Sequence, residues 1–98
     1  MPAAEDVRTV RLLASLRSFA GTRAITVTTG PDPTVRELLA ALQREHPALA
    51  ERVLSEAGQL NPGMQLVVNG RHIDFLDGLD TALTSEADLV LIPPTAGG

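Results

Sequence analysis

The sequence predicts an α+β fold in which a mixed sheet of four to five strands is covered on one face by a helix. Three observations support this prediction: an amphipathic segment with a capping pattern at its start, runs rich in β-branched residues, and an Asn-Gly pair between two short runs. A chain of 98 residues has the length of one domain. We therefore expect one domain over residues 7–94, with a flexible polar leader at 1–6 and a flexible tail at 95–98.

The composition limits what fills the core and what the protein binds. Phe19 and Phe75 are the only aromatic residues, so the core must consist of Leu, Val, Ile and Ala. The net charge is −4, and the scattered positive residues are all Arg. Nucleic acid is therefore not an expected partner, because phosphate contacts need clustered positive charge.

The chain contains no cysteine, which excludes disulfides, thiolate metal sites and a cysteine nucleophile. Its start, MPAAED, lacks the basic and apolar regions of a signal peptide, and its apolar runs are too short to span a membrane. We expect a cytoplasmic protein that does not bind membranes.

Two strands are expected before the helix. Alternation of apolar residues over 7–16 predicts the first strand. The residues on its inward phase are Val10, Leu12, Ala14 and Leu16. Residues 17–22 are then expected to form a loop around Gly21. The segment AITVTT at 24–29 is rich in β-branched residues, which predicts a second strand that pairs with the first.

The clearest helix signal begins at Thr34. The segment TVRE at 34–37 matches a capping box, in which the Thr and Glu side chains each satisfy a backbone N–H of the other residue. Apolar residues then follow at helical spacing. They are Val35, Leu38, Leu39 and Leu42. A short second helix is expected to begin near Pro47 and to finish near Gly58.

The second half of the chain predicts three further strands. Residues 64–68 form the third, and Asn69 with Gly70 predicts a tight hairpin turn because both residues tolerate positive φ. Residues 71–74 return as a short fourth strand, followed by turns. The last strand covers 88–92 and ends at two prolines, which cannot donate to a sheet.

The side chains offer no catalytic or metal-binding constellation. His46 and His72 lie in different predicted elements without a Cys or a spaced carboxylate between them, so we interpret both as ordinary surface histidines. Four aspartates at 74–88 lack the spacing of a calcium-binding loop and fit turns better. No serine has a nucleophile-elbow context, and phosphate-binding glycine loops are absent. We expect neither catalysis by the side chains nor a bound cofactor.

The end of the sequence, IPPTAGG, is the unusual feature. A terminal Gly-Gly pair arises by chance in about one chain in 200. The two prolines favour an extended path, and glycines without a Cβ can thread a narrow slot. An incidental disordered end or a cloning scar is the alternative. If the tail is functional, its reactive group is the α-carboxylate of Gly98. ATP can activate it as an acyl-adenylate, from which sulfide, a persulfide sulfur or an amine can displace AMP.

The chain resembles the ubiquitin-like sulfur-carrier family over nearly its whole length. This family includes the small subunit of molybdopterin synthase, the thiamine sulfur carrier and the small archaeal modifiers. The segments that carry the resemblance are VRLLASLRSFAGT, TVRELLAAL, VVNGRHI and GLDTALTSEADLVLIPPTAGG. The last of them is the most specific. The resemblance implies a ubiquitin-like β-grasp fold, which agrees with the predicted order of elements.

The resemblance also implies what the tail does. Gly98 would be adenylated by an E1-like enzyme that uses ATP and then converted to a thiocarboxylate, while Gly97 and Ala96 thread the partner's slot. The sulfur would pass to an enzyme such as the molybdopterin synthase large subunit. Alternatively, the chain would be a modifier joined through Gly98 to target lysines, with a JAMM-type metalloprotease as a further partner. A non-covalent binding module with an incidental Gly-Gly is the third possibility.

An apolar docking surface is expected near the end of the last strand. That strand is apolar on both phases, Leu13 lies on the outward phase of the first strand, and a helix covers only one face of a sheet. The predicted docking residues are Leu13, Leu89, Leu91, Pro93 and Pro94. The alternative is that loops cover the second face, or that a central strand is apolar on both sides.

Overall fold

A computed structural model of the chain describes residues 5–94. Within them the strands are β1 (Asp6–Leu12), β2 (Ala24–Thr29), β3 (Gln65–Val68), β4 (Arg71–His72) and β5 (Leu89–Ile92). The α-helices are α1 (Ser15–Ala20), α2 (Val35–Glu45) and α3 (Pro47–Val53). Two short 3₁₀ turns cover Ile73–Phe75 and Gly78–Asp80.

The strands form one mixed sheet in the order β2-β1-β5-β3-β4. Strands β1 and β5 are parallel, and the other neighbouring pairs are antiparallel. The last strand of the chain therefore lies in the middle of the sheet, with partners on both sides. The prediction of an α+β fold with a mixed sheet is confirmed.

Side chains alternate between the two faces of this sheet. The helices cover one face, and the apolar strand residues buried on that face are Val10, Leu12, Ile25, Val27, Leu66, Val68, Leu89 and Leu91. We call the other side the outer face. Its strand residues are Val7, Thr9, Arg11, Ala24, Thr26, Thr28, Gln65, Val67, His72, Val90 and Ile92.

Helix α2 has the predicted capping box. The Glu37 N–H donates to Thr34 Oγ1 at 3.3 Å, and the Thr34 N–H donates to Glu37 Oε1 at 2.8 Å. Two N–H groups that the helix itself cannot satisfy thus gain acceptors. The predicted apolar stripe of this helix is buried, and α3 begins at Pro47 as expected.

The first strand is shorter than predicted. It ends at Leu12, and Ala14 is exposed with a φ of 53°, so the expected inward position of Ala14 is wrong. The expected loop at 17–22 is largely the helix α1, which buries Leu16. Six residues form too few hydrogen bonds to hold a helix in isolation, so α1 depends on packing Leu16 into the core.

The hairpin after β3 matches its prediction. Asn69 and Gly70 have φ of 53° and 84°, as a two-residue turn between antiparallel strands requires. At the other end of the chain, β1 begins at Asp6, inside the predicted leader, and Asp6 pairs with Thr29. Residues 1–4 and the predicted tail at 95–98, with Ala96, Gly97 and Gly98, lie outside the described residues.

Candidate functional site

The base of the tail is the end of β5. On one side, the Leu13 N–H donates to the Leu91 carbonyl at 3.2 Å. On the other side, Ile92 pairs with Gln65 of β3. The chain is thus held by both neighbours up to Leu91 and by β3 alone at Ile92. Because prolines carry no N–H, Pro93 and Pro94 cannot donate to the ladder, and the chain leaves the sheet there.

Pro94 passes very close to the loop that precedes β3. A Cβ placed on Gly63 would lie only 2.8 Å from the Cβ of Pro94, where carbon atoms normally approach to about 3.5–4.0 Å. Gly63 has a φ of +84°. The last described residue therefore rests against a glycine that contributes backbone alone.

The outer face beside the tail base is partly apolar. The strand registers place Arg11, Val90, Val67 and His72 in one row across β1, β5, β3 and β4. Val67 is half-buried, and Val90 is 8% exposed although it faces away from the helices. The next row towards the tail has Ile92, also half-buried.

Two of the predicted docking residues do not belong to this surface. Leu89 and Leu91 are each 1% exposed and pack against the helices, so their assignment to a docking face is wrong. The cause is the parallel pairing of β5 with β1, which sets Leu91 beside the core residue Leu12. The outward phase of β5 is that of Val90 and Ile92.

The other predicted docking residues lie at the tail base. Leu13 and Pro93 are half-buried, and Pro94 is exposed. Sequence reasoning did not identify Val67 as a neighbour of this surface. The Asn-Gly hairpin was the available signal, since it sets the register of β3 against β4 and hence the phase of Val67.

Charged and aromatic side chains border the apolar part of the outer face. Arg11 makes two hydrogen bonds of 2.8 Å to the carboxylate of Asp88, and both side chains are more than half exposed. Phe75 is 81% exposed, and its ring meets that of His72 edge-on, with centroids 6.4 Å apart. A partner at this face would meet a small apolar strip with polar margins, as is usual for protein interfaces.

Both histidines take part in local structure. His46 donates from Nε2 to the Thr26 carbonyl at 2.7 Å, and His72 Nδ1 accepts from the Asp74 N–H at 3.0 Å. Across residues 5–94, no group of three or more His, Asp or Glu side chains is arranged to hold a metal ion. In that same part of the chain, no helix combines the length and apolarity that crossing a membrane would require.

Comparison with known proteins extends these observations. Residues 10–98 match the model of the ThiS family. The chain is 35% identical over 89 residues to small archaeal modifier protein 3 of Haloferax volcanii, an alignment that covers 91% of this chain and 96% of that protein. It is 34% identical over 65 residues to a putative sulfur carrier protein of Archaeoglobus fulgidus, covering 66% of this chain and 74% of the relative.

The fold agrees with the sequence relationship. The crystal structure of SAMP1 from Haloferax volcanii superposes with a TM-score of 0.79 at 34% identity, covering 94% of this chain and 99% of that one. The ubiquitin-like β-grasp fold implied by the resemblance is thus confirmed. The chain belongs to the ThiS family of small ubiquitin-like carrier and modifier proteins, and it is homologous to small archaeal modifiers and sulfur carriers.

Proposed function

We propose that this protein is a sulfur carrier whose Gly98 carboxylate is adenylated by an E1-like enzyme and then converted to a thiocarboxylate. One observation carries the proposal: the ThiS-family match runs through the Gly-Gly end at Gly98. The structure adds that β5, the strand from which this end continues, is the central strand of the sheet. A central strand anchors its end rigidly because both neighbours hold it. The folded body then serves as the handle that partner enzymes recognise.

The chemistry needs only the tail. The Gly98 carboxylate attacks the α-phosphorus of ATP on the activating enzyme, so that a carboxylate–phosphorus bond forms and pyrophosphate leaves. Hydrosulfide then attacks the acyl carbon, a carbon–sulfur bond forms, AMP leaves and a proton goes to solvent. A protein persulfide can deliver the same sulfur, provided that a thiol then reduces the resulting acyl disulfide. Gly97 and Ala96 present little side-chain bulk to the enzyme's channel.

The activating enzyme is proposed to dock on the outer face at the tail base. Leu13, Ile92 and Pro93 offer half-buried apolar surface there, with Pro94 at the point where the chain leaves the sheet. An enzyme that docks beside Pro94 would hold its active site close to the start of the tail, so that Gly98 could reach it directly. A sulfur-accepting enzyme, such as the large subunit of a molybdopterin synthase, would use the same surface after the activating enzyme dissociates.

The names of the relatives favour one second function. Two proteins from Haloferax volcanii that are 35% identical to this chain are named small archaeal modifier proteins. In that role a target lysine amine attacks the acyl-adenylate instead of sulfide, an amide forms and AMP leaves. A JAMM-type metalloprotease would be the enzyme class that hydrolyses the product. Both functions share the activation of Gly98 and differ only in the nucleophile.

Co-expression with the E1-like enzyme of the same genome, followed by intact-mass measurement, tests the proposal. The wild-type chain is expected to gain the mass difference between sulfur and oxygen. Deletion of Gly98, or addition of one alanine after it, is expected to abolish the gain. An unchanged mass gain in the extended variant would refute the proposal. Adducts on target lysines, in place of the sulfur gain, would establish the modifier function instead.

A further inference from the structure

We propose that Gly63 is a positioning residue that sets the direction in which the C-terminal tail leaves the sheet. The inference rests on the proposed function, since it concerns how Gly98 is presented to the activating enzyme. Its structural part, the direction of the tail, can be tested without any enzyme. It starts from the contact between Gly63 and Pro94.

Gly63 and Pro94 lie so close together that a residue with a Cβ at position 63 would collide with Pro94. A Cβ on Gly63 would lie 2.8 Å from Pro94 Cβ, 3.4 Å from its Cγ and 3.8 Å from its Cα. All three carbons belong to the closed pyrrolidine ring and cannot rotate away as a flexible side chain would. Any side chain at position 63 therefore forces the loop or the tail base to move.

The loop that contains Gly63 is the better anchored of the two partners. The Asn61 N–H donates to the Val53 carbonyl at 2.9 Å, and Asn61 Nδ2 donates to the Arg52 carbonyl at 3.1 Å. The Met64 N–H closes a turn onto the Asn61 carbonyl at 2.9 Å, and the Met64 side chain is 8% exposed in the core. Moving this loop would break its attachment to α3 and disturb core packing.

Pro94 has less to hold it. The last residue in the ladder is Ile92, which pairs with Gln65, and neither proline that follows can donate a backbone hydrogen bond. Pro94 is also exposed, so its displacement costs little burial. When the contact is made too tight, Pro94 is the side that moves, and the four residues after it move with it. Glycine at position 63 thus permits the observed position of Pro94, from which the tail continues.

Gly58 provides a matched control for the substitution. It has a φ of +81°, close to the +84° of Gly63, and a Cβ added to it would meet no heavy atom within 4 Å. Gly58→Ala and Gly63→Ala therefore introduce the same left-handed backbone strain. Only Gly63→Ala also adds the collision with Pro94. A difference between the two variants reports the contact rather than the loss of glycine.

The direction of the tail can be measured with a spin label. The chain has no cysteine, so Thr95→Cys provides a single attachment site for a nitroxide. Paramagnetic broadening of backbone amides then maps where the label lies relative to the outer face. We expect Gly63→Ala to change the pattern of broadened amides around Val67 and Val90, whereas Gly58→Ala leaves it as in the parent. Identical patterns in all three proteins would overturn the proposal.

Two further variants keep the test decisive if Gly63→Ala folds poorly. Pro94→Gly removes the contact by changing its exposed partner. It is expected to spread the broadening over more amides, because the chain after position 94 is less restricted. Combined with Gly63→Ala, it is expected to remove the collision, so that the double variant matches Pro94→Gly in its label pattern. The contact would be excluded as the cause if Gly63→Ala changed the pattern of broadened amides as much in the Pro94→Gly background as it does in the parent.

The functional part is tested with the E1-like enzyme by ATP–pyrophosphate exchange. We expect kcat with Gly63→Ala to fall on the order of tenfold, because a tail aimed wrongly places Gly98 away from ATP. The Kd measured by calorimetry is expected to change by less than about twofold, since Leu13, Ile92 and Pro93 of the docking face keep their positions and only Pro94 at its border moves. A changed tail direction with an unchanged kcat would overturn the positioning role. If a variant lacking Gly98 still supports ATP–pyrophosphate exchange, the proposed function is refuted. The spin-label experiment would still test whether Gly63 sets the direction of the chain after Pro94.

Discussion

The guanidinium of Arg8 donates from Nε to Oγ1 of Thr29 at 3.1 Å, in a position that leaves Arg8 only 4% exposed. The same group donates from Nη1 to the Thr84 carbonyl, and its Nη2 lies 3.5 Å from the carboxylate of Asp6. A buried charge is tolerated only when it is paired and hydrogen-bonded. Arg8 therefore joins β1, the end of β2 and the loop before β5 through one side chain.

Replacing Arg8 by methionine is expected to destabilise the fold by about 2 kcal/mol, because the buried Thr29 hydroxyl loses the donor that Arg8 supplies. Arg11 on the same strand is the matched control. Its pair with Asp88 is more than half exposed, so Arg11→Met is expected to cost less than about 1 kcal/mol. Urea unfolding of both variants measures the difference. Equal losses would contradict a structural role for the buried guanidinium.

The capping box of α2 predicts a second effect. Thr34→Ala removes the acceptor of the Glu37 N–H and is expected to cost about 1 kcal/mol, or roughly 5 °C in the midpoint of thermal unfolding. Thr34→Ser keeps the hydroxyl and is expected to remain within about 0.5 kcal/mol of the parent. If serine and alanine lowered the midpoint equally, the hydroxyl would not be the stabilising group.

The free edge of β2 is covered by side chains from the end of α2. The Thr28 N–H donates to both carboxylate oxygens of Glu45, at 3.0 and 3.2 Å, and Arg44 donates to the Thr28 carbonyl at 3.1 Å. Edge strands otherwise present unpaired groups that invite pairing with another chain. Glu45 and Arg44 thus act as a substitute for a neighbouring strand.

Glu45→Ala is expected to accelerate hydrogen exchange of the Thr28 amide on the order of tenfold, because that amide loses its acceptor. Glu51→Ala, in the neighbouring helix α3, is the control and should leave the Thr28 rate unchanged. Exchange rates measured by NMR decide the matter. A Thr28 amide that exchanges at the parent rate in Glu45→Ala would show that the carboxylate does not protect the edge.

The proposed docking face predicts a specific loss of binding. Leu13→Asp places a charge beside the end of β5 and is expected to weaken binding of the E1-like enzyme on the order of tenfold. Val7 lies on the outer face of β1, at the end of the strand that is far from Leu13, and its side chain is already 68% exposed, so Val7→Asp should bind as the parent does. Calorimetry measures both, with unfolding curves to verify that each variant is folded. Equal affinities would remove Leu13 from the docking face.

Several elements were predictable because their determinants are local. The start of α2 needs only Thr34 and Glu37, which lie one helical turn apart. The turn between β3 and β4 needs only two residues that accept positive φ, and Asn69 and Gly70 supply them. In both cases a few neighbouring side chains satisfy the backbone without help from distant parts of the chain.

Other elements were not predictable because distant contacts decide them. The helix α1 has too few residues to persist without packing, so local alternation led instead to a longer strand. In β5 every residue is apolar, so alternation could not show which phase faces the helices. The parallel pairing with β1 determines which phase of β5 faces the helices, and it places Leu89 and Leu91 in the core.

The sequence by itself determined the fold class, the order of most elements and the Gly-Gly end, because each of these is written in short runs of residues. Only the tertiary structure decided that β5 lies between β1 and β3 and that Pro94 rests on Gly63. The physical reason is that a sheet joins segments far apart in the chain. Its order follows from which arrangement buries the apolar faces while pairing the backbone, and that balance exists only in the assembled molecule.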